Sequence, residues 1–445
     1  MFTLQRFPRT IKPLLTLTRR WHTTEKAVFL DLKQLEALEQ LESVEWAQVP
    51  AISQIVSRRS AAAEYGRKRI GAVPLPKSLI GGISEIIQES DKKLIRTDAL
   101  RIYESLRSTS RIPTEDTTKE PHTVAYGPRE SLAYLAGAMP SAYAATFNVL
   151  HEISHRLPDF KPKTILDFGT GPGTALWASH QVYEDIQHCT GVDLSEDMLS
   201  IAERLQGSVA PQLPIDFKRY LALGPEAPKP DLVISAFTLG DIPSAALQKS
   251  IVRQLWDMTG NVLVLIDRGT PIGFSNIARA RQYVLDTNDS VHVVAPCPHD
   301  KPCPLLYSPD AKPDRLWCHF SQRVQRPQFL MKTKHSKSNA EDAKYSYVVL
   351  RRGERPKATE GDHASEAYTW SRLVQAPMKK QGHVIMDVCT NEGEIQRMVV
   401  PKSQGKVPYK DARKIAWGDL FPHPPKNKPV VRMSKGSTSN NDDVA

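Results

Sequence analysis

From Lys163 onward the chain alternates short apolar runs with amphipathic stretches. The runs are TILDFG, CTGVDLS, PIDFKRY, PDLVISAFT and NVLVLIDRG, and segments such as EDMLSIAERLQGS and SAALQKSIVRQLWDM lie between them. Short apolar runs bounded by turn residues read as buried strands, and the longer stretches repeat at helical spacing. This alternation predicts an α/β fold with a doubly wound parallel sheet. YSYVVLRR, residues 345–352, is expected to return one more strand to that sheet.

The flanks differ. DLKQLEALEQLESVEW puts Leu32, Leu35, Leu38 and Leu41 on roughly one helical stripe, and SLIGGISEIIQESDKKLIRTDALRIYESL continues a helical pattern after Pro74 and Pro76. Residues 108–121 form a polar linker, and PRESLAYLAGAMPSAYAATFNVLHEISHRL reads as two helices broken near Pro140. An N-terminal helical region over 25–160 therefore precedes the α/β domain at 161–352, which contains a Cys-rich insertion at 295–343. Residues 353–365 read as a loop. A small β-rich unit at 366–421 holds HVIMDVCT and EIQRMVVPKS, joined as a hairpin by Asn391-Glu392-Gly393. The Pro-, Lys-, Ser- and Asn-rich residues 422–445 are expected to be a disordered tail.

Charge sharpens this picture. The net charge is +10 over 445 residues, and 19 Lys and Arg face 10 Asp and Glu between Ser321 and Ile415. A localised basic field suggests a polyanionic partner, most often nucleic acid, against the plainer reading of a solvated surface. Residues 1–24 carry Arg6, Arg9, Lys12, Arg19 and Arg20 without an acid, and Lys12 and Pro13 interrupt any continuous apolar centre. That composition fits a mitochondrial transit peptide and hence the matrix, the alternative being a basic arm. No run of 18 apolar residues exists, so no membrane-spanning helix is expected.

Candidate chemistry sits in two places. The first is ILDFGTGPGT at the end of the first α/β strand. Gly169, Gly171 and Gly173 let the backbone turn sharply and approach a ligand. Asp193 ends the next strand, where an acid can accept from ribose hydroxyls, and Asp167 stands where a carboxylate could attract an amino group. These features resemble class I S-adenosylmethionine-dependent methyltransferases, with Asp167, Gly169, Gly171, Gly173 and Asp193 as cofactor-binding candidates. The alternative is a retained fold with an empty pocket. The stretch after the fourth strand, Asp231 to Asp241, lacks the Asn/Asp-Pro-Pro-Tyr/Phe motif of amino-group methyltransferases. Ala295-Pro296-Cys297-Pro298 follows the fifth strand, the wrong place for a cytosine-5 methyltransferase loop. No catalytic residue is assigned.

The second place is CPHDKPCPLLYSPDAKPDRLWCHF, residues 297–320, which holds three of five cysteines. Its lack of helical or strand period suggests that something other than an apolar core orders it. A reducing matrix disfavours disulfides, which leaves metal. Thiolates suit Zn²⁺ or an iron–sulfur cluster, and His299 and His319 are neighbouring alternatives. Pro296, Pro298, Pro302 and Pro304 stiffen such a loop. Cys389 would tie it to the C-terminal unit, whereas Cys189 reads as a buried small hydrophobe. Four unrelated buried cysteines are the plainer reading.

Taken together, TVAYGPRESLAYLAGAMPSAYAA, ILDFGTGPGTALWA, GTPIGF, CPHDKPCPL, WCHFSQR and the segment from Ser371 to Pro422 resemble the methyltransferase-like family of mitochondrial small-subunit ribosomal proteins and assembly factors. The resemblance covers roughly 121–421. It implies a class I methyltransferase fold and a [4Fe–4S] cluster on Cys297, Cys303, Cys318 and Cys389. It also implies small-subunit ribosomal RNA and ribosomal proteins as partners. The RNA-binding candidates are Arg397, Lys402, Lys406, Lys410, Arg413 and Lys414, interleaved with Tyr409 and Trp417, whose alternative is core packing. Two further readings are an active S-adenosylmethionine-dependent ribosomal RNA methyltransferase and a zinc-containing methyltransferase of a small molecule.

Overall fold

The computed structural model describes residues 59–108, 125–221 and 228–437. The transit-peptide reading, the Leu32–Leu41 stripe and most of the polar linker lie outside the described residues. A nine-stranded sheet forms the centre. Its edge strand β1 (Ala72–Val73) precedes a parallel set: β2 (Thr164–Phe168), β3 (His188–Val192), β4 (Ile215–Lys218), β5 (Leu232–Ala236) and β6 (Val262–Arg268). The spatial order of that set is β4-β3-β2-β5-β6. Beyond β6 the chain makes β7 (Val291–Ala295), β8 (Phe320–Gln325) and the long β9 (Ala340–Arg352). β9 pairs antiparallel with β6 over Tyr345–Arg351, and its other edge accepts β8 on its first half and β7 on its second. The strand expected at 345–352 is thus the second half of β9.

Alternation along each strand divides the core. Ile165, Leu232, Ile234, Val262, Val264 and Ile266 face one layer. Its helices include α1 (Lys77–Gln88), followed after α2 (Lys92–Ser108) and α3 (Pro128–Gly137) by α4 (Met139–Arg156), α5 (Thr174–Val182) and α6 (Glu196–Val209). Leu166, Val233, Leu263 and Leu265 face the other layer, made by α7 (Ala245–Met258) and α8 (Pro271–Asp286). Both faces being covered explains why these strands read as continuous apolar runs. The break between α3 and α4 falls at Ala138, and Pro140 sits in the first turn of α4, where a missing N–H costs nothing.

A second, antiparallel sheet contains β10 (Ser371–Leu373), β11 (Met378–Lys379), β12 (His383–Cys389), β13 (Ile395–Pro401), β14 (Leu420–Phe421) and β15 (Val430–Met433). Gly393 turns the β12–β13 hairpin at φ +78°, as its sequence predicts. Val384, Met386, Val388, Met398 and Val400 pack with Ala412 and Ile415, from and just after α9 (Lys406–Lys414). The tail departs from expectation. Val430–Met433 pairs with β13, and Ser437 N–H donates to the Tyr307 carbonyl at 3.3 Å. Pairing to the open edge of β13 supplies the order that the polar composition conceals.

A buried ion cluster joins the parts. Glu152 of α4 accepts from Arg372 of β10 at 2.7 Å, from the Tyr347 hydroxyl of β9 at 2.5 Å, and from Lys68. Burial opposes charge on Glu152, but Arg372 and Lys68 prevail and hold its carboxyl well below the usual range. Arg372 also donates to the carbonyls of Pro296 at 2.9 Å and Gly418 at 2.7 Å, fixing the start of the insertion.

Candidate functional site

The glycine loop leaves β2 at its C-terminal end, where doubly wound sheets bind ligands. Gly169, Gly171 and Gly173 have φ of +74°, +53° and +79°. A Cβ on Gly169 would lie 2.1 Å from Thr238 Oγ1, and one on Gly173 2.5 Å from Trp177. Gly171 differs, with nothing nearer than Met198 Sδ at 4.0 Å. Its side faces the open cradle.

Asp193 follows β3 and holds the loop. One carboxylate oxygen accepts Gly171 N–H at 2.8 Å, the other Ser195 N–H at 2.9 Å. Asp167 is buried in β2, with one oxygen accepting from Thr170 Oγ1 at 2.8 Å and the other without a partner. Burial pushes its pKa up to about 7, against the Thr170 hydrogen bond. An unpaired buried carboxylate oxygen beside a glycine cradle suits a cationic ligand such as S-adenosylmethionine. Sequence reasoning missed the residues around this cradle. Arg268, ending β6, donates to Asp241 at 2.9 Å. Phe237, at the end of β5, has φ +62°, and Tyr126 packs edge-on to Tyr134. The positive φ at Phe237 has no local sequence signal, because only the surrounding fold can impose it.

The cysteines converge elsewhere. Cys297, Cys303, Cys318 and Cys389 all line one cavity between α8, the insertion, β10 and the β12–β13 hairpin, with about 540 Å³ of atom-free space open in part to solvent. Phe274, Leu305, Val374, Ile395 and Met433 form an apolar cluster there, with Leu316 and Trp317 against it. The insertion is therefore ordered in part by an apolar core, correcting the expectation that it lacks one. Its aperiodic sequence hides this because its apolar residues meet partners from three distant segments. His299 joins the cavity: its Nδ1 faces the Lys301 carbonyl at 3.0 Å and its Nε2 faces Cys389 Sγ at 3.3 Å. With Nδ1–H donating, Nε2 accepts from the thiol. His319 does not line the cavity. It stacks on Trp317 at 5.0 Å and meets Trp417 edge-on at 4.7 Å. Cys189 is buried in β3.

Burial raises three of the thiols. Cys303 is pushed up to about 11, with Cys297 adding to it, and Cys318 and Cys389 are raised well above the usual range by burial and by the neighbouring sulfurs. Among the described residues no three His, Cys, Asp or Glu side chains are grouped tightly enough to hold a single metal ion.

The basic candidates separate. Lys402, Lys406, Lys410, Arg413 and Lys414 line one open groove with Gly405 and Tyr409. Arg397 stands apart on β13, donating twice to Asp387 at 2.7 Å. Trp417 packs against the central core instead of the groove.

The sheet order, the antiparallel β9 and the glycine loop define a class I methyltransferase fold. Within it, the chain belongs to the family described as mitochondrial small ribosomal subunit Rsm22, whose model matches residues 128–422. It is 33% identical over 347 residues to the ribosome assembly protein METTL17, mitochondrial, of Homo sapiens, covering 75% of this chain and 71% of that one. The Rsm22-cox11 tandem protein 2, mitochondrial, of Schizosaccharomyces pombe is 32% identical over 391 residues, covering 80% of this chain and 51% of that protein. Among solved structures, magnesium protoporphyrin IX methyltransferase (ChlM) of Synechocystis PCC 6803 with bound SAH is 12% identical. It covers 59% of this chain and 100% of that one, with TM-score 0.32. The protein is mitochondrial, as its relatives are named. No helix among the described residues is long and apolar enough to cross a membrane.

Proposed function

We propose that the chain acts in the mitochondrial matrix as an assembly factor or component of the small ribosomal subunit. It would bind ribosomal RNA, beside ribosomal proteins, through a methyltransferase-like fold organised by a [4Fe–4S] cluster. The observation that carries this reading is the meeting of Cys297, Cys303, Cys318 and Cys389 at one cavity. They come from an insertion in the α/β domain and from the last residue of β12 in a different sheet. Four thiols line the cavity beside the His299 imidazole, and a thiol-rich donor set suits iron–sulfur chemistry. A bound cluster would supply iron–thiolate bonds that fasten the insertion to the second sheet. That sheet carries α9 and its groove, whose cations suit phosphates; Tyr409 lines the groove but is partly buried against the core of that sheet. The names of the relatives support the ribosomal assignment.

The alternative, an active ribosomal RNA methyltransferase, draws on the glycine cradle and the unpaired Asp167 oxygen. In Cys303→Ser, the visible chromophore, the iron and small-subunit binding are expected to disappear together. An iron-free variant that binds the subunit normally contradicts the proposal. A Gly171→Leu variant that blocks the cradle and still supports assembly removes the enzymatic alternative.

A further inference from the structure

Arg281 is a buried charge with no acid of its own among the described residues. It lies on α8, is 2% exposed, and lines the cavity with all four cysteines. Its terminal nitrogens donate only to uncharged oxygens: Gln282 Oε1 at 3.3 Å and the carbonyls of His299 at 2.8 Å and Lys301 at 3.0 Å. Its Nε–H is buried without an acceptor. Among the described residues no carboxylate forms an ion pair with it; the nearby acid Asp300 is paired with Arg355 at 2.8 Å. The other buried cations differ in their surroundings, Arg156 also having a buried Nε without an acceptor. Lys68 and Arg372 share Glu152, and Arg156 lies over the Tyr368 ring at 4.7 Å. A guanidinium stays protonated in proteins, and burying it without an anion is expensive. A cluster held by the four cysteines would supply that anion. Four thiolates around iron and sulfide carry net negative charge in either oxidation state.

We infer that Arg281 is a positioning residue for the four-cysteine centre: its buried guanidinium, which lines the same cavity, offsets the thiolate charge. This inference rests on the cluster reading above. The cluster gains negative charge when it accepts one electron, so a fixed cation beside it favours the reduced form. Loss of that cation lowers the reduction potential.

The test compares full-length wild type, Arg281→Gln and Arg281→Lys, each loaded with iron and sulfide. Each is titrated with dithionite, which supplies the electron, while the cluster is followed by electron paramagnetic resonance. Arg281→Gln is expected to shift the one-electron equilibrium at least tenfold toward the oxidised form, a fall of about 59 mV. Arg281→Lys restores the charge and should recover much of that shift. An iron-loaded Arg281→Gln variant with the wild-type potential overturns the inference. If Arg281→Gln fails to retain iron, retention by Arg281→Lys supports the charge role, and equal loss from both overturns it. Wild type that holds no iron overturns the cluster reading itself, a result separate from either variant.

Discussion

Single residues decide what the glycine cradle can tolerate. Gly169 and Gly173 combine positive φ with immediate neighbours, so any side chain meets both strain and collision. Gly171 meets strain alone. Gly171→Ala is therefore expected to cost about 1–2 kcal/mol, the left-handed penalty of one residue, and leave the fold intact. Gly169→Ala should unfold at distinctly lower denaturant. Equal midpoints for the two would contradict the geometry. Asp167 makes a pH prediction. Its folded pKa of about 7 lies above its unfolded value, so its contribution to stability is full below about pH 4 and is lost as pH rises through 7. A cationic ligand reverses the preference. The affinity for S-adenosylmethionine, read by calorimetry, should rise with pH up to 7, by at most roughly tenfold per unit, and level off above. Asp167→Asn should flatten that slope; a slope that survives the substitution assigns it to another group.

At the scale of elements, the sequence was legible where one element's own period carried the signal. Ile165 against Leu166, and Val262 against Leu263, alternate between two helical layers, and the run they form announced a buried parallel strand. Asn391-Glu392-Gly393 announced its hairpin for an equally local reason. The edges were not legible. β1 is two residues long, β8 alternates Phe320, Gln322 and Val324 inward with polar side chains outward, and β15 exists only because β13 leaves an edge open. The site divides likewise. Cysteine spacing suggested a ligand loop, but Arg281 belongs to a helix whose sequence says nothing of what its side chain faces. The basic candidates also divide by element. Lys406 and Lys410 lie on α9 and line the groove, whereas Arg397 is engaged by Asp387. Lys406→Glu with Lys410→Glu should weaken RNA binding and lower its salt dependence by about one counterion per lost phosphate contact. Arg397→Gln should leave the salt slope unchanged and lower stability instead. A large loss of RNA affinity in Arg397→Gln would move the binding face onto β13.

Across the whole molecule, two of the several places where the C-terminal unit meets the rest of the described residues bear on the account. One is the ion cluster around Glu152, which gathers Lys68, α4, β9 and β10. Glu152→Gln leaves two buried cations with one neutral acceptor and is expected to cost roughly 3–5 kcal/mol in urea unfolding. A loss below about 1 kcal/mol would mean that the cluster orients the parts without stabilising them. The other centre is the cysteine cavity, reached by Arg372 through its hydrogen bond to Pro296, one residue before Cys297. The account as a whole turns on what that cavity holds. The most direct measurement is the iron, acid-labile sulfide and zinc content of the full chain purified without oxygen, read with its visible spectrum. About four irons and four sulfides per chain, a brown chromophore and no zinc are expected for one cubane. One zinc per chain, or no metal with four titratable thiols, would contradict the account.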